Sequence, residues 1–216
     1  MNEDGIAWIA RADLSWLGHC VTLARGLSPE QLVARLARGH EPVSLGEHTA
    51  ASAETHLTRR DQERGVGDSI AVRYGDAGGL AFAVAHGDNW PGRMGPGYTD
   101  GLSNDGADVF QLYWEKENPK LPPPVFAYFR DGRYMCGDGR YMCGFDMCMS
   151  WSQEITGPRP DLVRGDLEAA GIFSETDGDL AHSKSLSVVE QRFRLTLPKE
   201  LVLQGKLHTA LIAGQA

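Results

Sequence analysis

The segment Asp131-Gly-Arg-Tyr-Met-Cys-Gly137 is followed at once by its own copy, Asp138-Gly-Arg-Tyr-Met-Cys-Gly144. No other feature of the chain constrains its fold as strongly. Asp-Gly between aromatic and apolar runs signals a tight β-hairpin, because both residues tolerate the positive φ of a type I′ turn. The pattern predicts a meander of three strands over residues 125–130, 133–137 and 140–147. With two-residue turns, one side of the meander carries Phe129, Tyr134, Cys136, Tyr141 and Cys143. The other side carries Tyr128, Met135 and Met142. A seven-residue repeat does not fit a period of two, so a turn, bulge or extruded loop has to absorb it.

The remaining signals complete an α+β pattern. A helical lead-in over 6–17 is anchored by Trp8 and Trp16, and a strand follows over 19–25. Residues 28–38 carry the clearest helix signature: Ser28 as N-cap, Pro29 at the first helical position, Gln31 closing a capping box, and Gly39 as stop. Residues 46–64 read as a mostly exposed second helix with a thin apolar face. A hairpin joins 69–74 to 79–86 around Gly75-Asp-Ala-Gly78, with Ile70, Val72, Leu80, Phe82 and Val84 as its apolar positions. Residues 87–106 are rich in Gly, Pro, Asn and Asp and lack periodicity, apart from a helical turn near 98–104. A strand spans 108–117, and the prolines of 122–124 lead into the meander. Short helices are expected over 160–170 and 183–192. A strand-like 193–196 then leads through Pro198 into a final helix ending near Ile212. The expectation is one α+β domain over 1–216, a mainly antiparallel sheet (hairpin plus meander) packed with several short helices.

Composition narrows function by exclusion. A net charge of −8, with no basic run longer than Arg59-Arg60, argues against nucleic acid as a partner. No stretch approaches the ~20 apolar residues of a membrane span. The acidic start, Met-Asn-Glu-Asp-Gly, is unlike a signal peptide, and four cysteines without framework spacing suit a reducing cytoplasm.

The candidate chemistry lies in three places. His86, Asp88, Asn89 and Trp90 open the long loop at a strand end. With Tyr98, Asp100 and Asp105 they form the best cluster for a small-molecule pocket, in which a His–Asp pair could do acid–base work; Asp and Asn in such loops also serve as turn formers. Cys136, Cys143 and Cys148 are the candidates for a metal or redox site, although their spacing, C-x6-C-x4-C, matches no zinc signature. His48 and His56 lie two helical turns apart rather than at the one-turn spacing of helical metal pairs. His19 and Cys20, adjacent in a strand, point to opposite sides and do not pair. No phosphate-binding glycine loop and no Gly-x-Ser-x-Gly elbow is present, and no cofactor is expected.

Trp16-Leu17, the run CVTLARGLSPEQLVARL (20–36), the hairpin of 69–86, Leu102-Ser103 before a strand, Phe145-Asp146 and the closing RLT-x-Pro-x-Glu-Leu (194–201) occur in a familiar order. In this the chain resembles an uncharacterised family of bacterial cytosolic proteins, a domain of unknown function. The likeness covers most of the chain. It implies a fold class and a compartment and carries over no catalytic residues. The duplicated DGRYMCG and the Gly/Pro stretch of 91–97 depart from it.

The functional expectation is a non-catalytic, acidic, cytoplasmic protein of accessory or immunity type. It would bind a protein partner through aromatic residues near the irregular region: Trp90, Tyr98 and Trp114. A small-molecule enzyme with its pocket at 86–105 is the alternative, and a thiol-based sensor the second.

Overall fold

The structure is a computed structural model that describes residues 5–15, 17–65, 67–90, 101–116, 124–130, 143–148 and 154–212. Among these residues eight strands form one sheet: β1 (Gly18–Arg25), β2 (Val43–His48), β3 (Ile70–Ala77), β4 (Leu80–His86), β5 (Asp108–Glu115), β6 (Val125–Arg130), β7 (Cys143–Asp146) and β8 (Leu207–Ile212). Their order is β2-β8-β3-β4-β1-β5-β6-β7, and every neighbouring pair is antiparallel. The helices are α1 (Pro29–Leu36), α2 (Ala50–Arg64), α3 (Arg164–Ala169), α4 (Gly178–Phe193) and α5 (Lys199–Leu203). The architecture is α+β around an antiparallel sheet, as the sequence pattern implies. Among the described residues no helix is long and apolar enough to cross a membrane.

Over the central strands both faces of the sheet are buried, whereas edge strand β2 is largely exposed, and strand alternation assigns each residue to one face. Val21, Leu23, Phe82, Val84, Phe110, Leu112, Phe126 and Phe145 build one core with Leu167 of α3 and Leu186 and Val189 of α4. The opposite face carries Cys20, Ala24, Val72, Ala81, Ala83, Ala85, Val109 and Phe129, covered by Leu32, Val33 and Leu36 of α1 and by Trp90 and Leu102. In β4 the large residues all point to the first face and the alanines to the second, which gives α1 a flat surface. The α1 capping box is formed as its sequence implies.

Several expectations change. The lead-in is a 3-10 turn over Ala7–Arg11 only, held by Trp8 Nε1 donating to the Leu197 carbonyl at 3.0 Å; Trp16 lies outside the described residues. The start of the expected second helix is edge strand β2, bulged between Ser44 and Gly46. Helix α2 begins only after Thr49, whose side chain accepts from the Ser52 amide. The β3–β4 turn is Gly78-Gly79, both at positive φ. Gly75 sits inside β3 opposite Phe82, where a Cβ would come within 2.9 Å of that ring. Residues 193–196 form no strand, and the expected last helix stops at Leu203. Leu207–Ile212 instead pairs on both sides, with β2 and β3, because ladder hydrogen bonds and burial override local helix preference.

The meander is also corrected. Strand β6 pairs directly with Cys143–Asp146, Tyr128 opposite Cys143 and Phe126 opposite Phe145. Cys143 therefore shares a face with Tyr128, not with Phe129. Residues 131–142, with most of the duplication, lie outside the described residues.

Candidate functional site: an acidic cleft at the end of β4

Helix α2 lies on the sheet through a narrow apolar stripe, Ala53 and Leu57, packed on Ala71 and Leu211. That stripe places Glu54, Thr58 and Asp61, spaced i, i+4, i+7 along one side of the helix, beside the end of β4. Gly87 lets the chain turn beneath the helix. Its φ is +100°, and a Cβ there would sit 2.3 Å from Leu57 Cδ2. The result is a cleft of about 280 Å³ whose polar lining is Ser15, Glu54, Thr58, Asp61, Asp88 and Asn89.

His86 is buried behind this cleft, its Nδ1 3.5 Å from Glu54 Oε1. That separation is at the long limit of a hydrogen bond, and the other ring nitrogen, Nε2, has no hydrogen-bond partner. Burial lowers the His86 pKa against the opposing pull of Glu54, and the nearby Arg73 charge lowers it further. The imidazole is neutral at pH 7. The His86 ring holds the Glu54 carboxyl below its ordinary range, against partial burial, with smaller help from Arg73. Arg73 is itself fully buried and committed to main chain. Its Nε donates to the His48 carbonyl at 3.1 Å, Nη1 to Val202 at 2.8 Å and Nη2 to Gly205 at 2.8 Å.

Asp61 is raised by desolvation, with Ser69 opposing and Asp68 adding to the rise, and its Oδ1 has no hydrogen-bond partner. The lining hydroxyls are both engaged with carbonyls, Ser15 with Gly18 and Thr58 with Glu54. The cleft thus presents carboxylates and no activated nucleophile. Among the described residues no group of three or more His, Cys, Asp or Glu side chains is placed to hold a metal ion.

The expected site residues scatter. Asp88 lines the same cleft as Glu54, but the acidic group against His86 is Glu54. Asp105 pairs instead with Arg35 of α1, at 3.0 Å and largely exposed. Asp100, Tyr98 and Cys136 lie outside the described residues. Trp90 is no surface anchor: it is fully buried, its ring 5.4 Å from Tyr113 in a T-shaped contact. Trp114 is half-buried against His19 and His182. Cys143 is buried within the sheet and Cys148 half-buried after it. Burial pushes both thiols up to about 12, the setting of an inert thiol. His19 and Cys20 do point to opposite faces. His48 and His56 come together, rings 4.5 Å apart, with His48 engaged by Ser52 and the Leu45 carbonyl.

Glu54 and Asp61 are the residues that sequence reasoning missed. Their signal was available in the thin apolar face of α2, since carboxylates flanking Ala53 and Leu57 must stand at the edge of the buried stripe. No protein-family model, curated protein or solved structure matches this chain.

Proposed function

We propose that the protein is a non-catalytic, cytoplasmic binding protein of accessory or immunity type, whose acidic cleft receives a lysine or arginine side chain from a protein partner. The observation that carries this reading is the cleft wall, where Glu54, Asp61 and Asp88 line one recess. Carboxylates gathered on one wall make charge-assisted hydrogen bonds to a cationic donor that enters the recess. With 29 acidic against 21 basic residues, the chain attracts basic surfaces at long range. Its described cysteines are free, which suits a reducing compartment.

The test is an NMR titration of the labelled protein with N-acetyl-arginine amide. Shifts should cluster at residues 54–61 and 86–89, and Glu54→Gln with Asp61→Asn should weaken binding by roughly tenfold or more. Shifts that avoid these residues, or survive the double substitution, would overturn the reading.

A second reading, a small-molecule enzyme at this cleft, rests on the Glu54–His86 contact, since a carboxylate backed by an imidazole can move a proton. Native mass spectrometry of protein purified from its own cells separates the two. A bound small molecule lost in Glu54→Gln favours the enzyme, and a co-purifying protein favours the binding protein.

A further inference from the structure

Residues of α3 and α4, with Arg11 and Arg194, line an open groove of about 830 Å³. Its charge is opposite to that of the chain. Arg11, Lys184, Arg192 and Arg194 line it, against a single carboxylate from Asp166. Two of these cations are spoken for: Lys184 meets Glu175 at 2.6 Å and Arg192 meets Asp166 at 3.8 Å. Arg11 and Arg194 are exposed, and neither has a side-chain hydrogen bond or ion pair among the described residues.

Arg194 occupies a position where glycine is the ordinary choice. It follows the last turn of α4 with φ 52° and ψ 52°, its backbone N–H closing on the Glu190 carbonyl. Only a residue without a Cβ adopts that conformation freely. The guanidinium is not needed to finish the helix, because Arg25 Nη2 already donates to the Phe193 carbonyl at 2.8 Å. A strained backbone thus holds an unpaired cation in the lining of a groove that also includes Ala170 and Val188.

We propose that this groove binds an acidic, partly apolar peptide segment of a protein partner, with Arg11 and Arg194 pairing its carboxylates. Arginine clusters recognise acidic motifs through bidentate pairing, and the volume exceeds what a simple inorganic anion fills. The inference is independent of the acidic cleft: it uses other residues and a ligand of the opposite charge, so the two can fail separately.

The probe is a fluorescein-labelled peptide of alternating Glu and Leu, followed by anisotropy with the full chain. Arg11→Glu and Arg194→Gly should each weaken binding by about tenfold or more, and added salt should weaken it in the parent. Arg194→Gly removes the backbone strain, so its melting temperature should hold or rise while binding falls, which separates recognition from folding. No binding by the parent, or binding indifferent to both substitutions, would overturn the proposal. Displacement of the peptide by inorganic phosphate at equal concentration would also overturn it, assigning the groove to a free anion.

Discussion

The imidazoles of His19 and His182 lie 6.2 Å apart and 17° from parallel, and both pack edge-on against Trp114. His19 comes from β1, Trp114 from the paired position in β5, and His182 from α4 above them. Continuing the β1–β4 register two residues beyond Val21↔Val84 brings His86 beside His19. One end of the sheet thus buries three imidazoles, and the Nε2 atom of each lacks a hydrogen-bond partner.

This arrangement makes stability depend on pH. Burial, and then the neighbouring His182, lower His19 to about 3. Burial lowers His182 to about 4 against the weaker pull of Asp179. Both groups are neutral in the fold, whereas the unfolded chain takes up protons near pH 6.5, so stability is full above that value and falls as pH drops toward 4 and then 3. Each group contributes up to about 1.4 kcal/mol per pH unit in that window. The depressed Glu54 acts in the same direction below its ordinary range. Urea unfolding between pH 7.5 and 4.5 (the latter roughly midway through the window) should show the midpoint falling, and His182→Leu should flatten the slope. An unchanged slope in that variant would falsify the assignment.

Arg73 carries an expectation about packing. Its guanidinium satisfies carbonyls of His48, Val202 and Gly205, tying the end of β2 to the turn that precedes β8. Arg73→Leu leaves those acceptors buried and unpaired, at a cost of about 1–3 kcal/mol for each one that finds no water. A loss of about 3 kcal/mol or more is expected in the urea midpoint. Arg73→Lys should recover only part, since an ammonium cannot reproduce the planar fork.

How legible was all this in the chain? Helix α1 could be read from Ser28 and Gln31, and the β3–β4 hairpin from its alternating residues, because both signals are local. Strand β8 could not: Leu207–Ile212 becomes a strand only through partners more than a hundred residues away in β2 and β3. The pairing of β6 with Cys143–Asp146 was hidden for a related reason, since two copies of one hairpin signal offer the strand competing partners. In the cleft, His86 was legible as a polar residue at a strand end. The sequence pattern puts its acidic neighbour in the adjacent loop, but Glu54 arrives from a helix 32 residues earlier; the thin apolar face of α2 sets that carboxylate at the edge of the buried stripe, and no local spacing says which strand end the edge will meet.

The close approach at Gly87 gives a coupled expectation. Gly87→Ala places a Cβ at 2.3 Å from Leu57 Cδ2 and asks alanine to hold φ +100°. The first problem disappears if Leu57 is shortened and the second does not. Gly87→Ala and Leu57→Ala should each destabilise, by about 2 kcal/mol or more for the core leucine. The double variant should be less damaged than their sum, with a coupling of roughly 0.5–3 kcal/mol. Strict additivity would mean that the clash is relieved by other means, and that α2 is not held against the end of β4 in the way the cleft requires.

Glu190 ties the N-terminal turn to α4. Its Oε2 accepts from the amides of Ile6 at 2.7 Å and Ala7 at 2.9 Å, a carboxylate satisfying two donors that a 3-10 turn of five residues leaves open. Ile6 and Ile9 are buried in the core beneath α4, so the turn has apolar anchors as well. Glu190→Ala therefore should not release the segment. It should cost about 1.5–3 kcal/mol, the range for hydrogen bonds to a charged group, and Glu190→Gln less, since a neutral carbonyl oxygen still accepts. Hydrogen exchange distinguishes this from general loosening. The amides of Ile6 and Ala7 should lose protection in Glu190→Ala while those of Val21 and Leu23 in β1 keep theirs relative to the new global stability. Equal loss in both places would show that the carboxylate supports the whole α4 packing rather than the turn it caps.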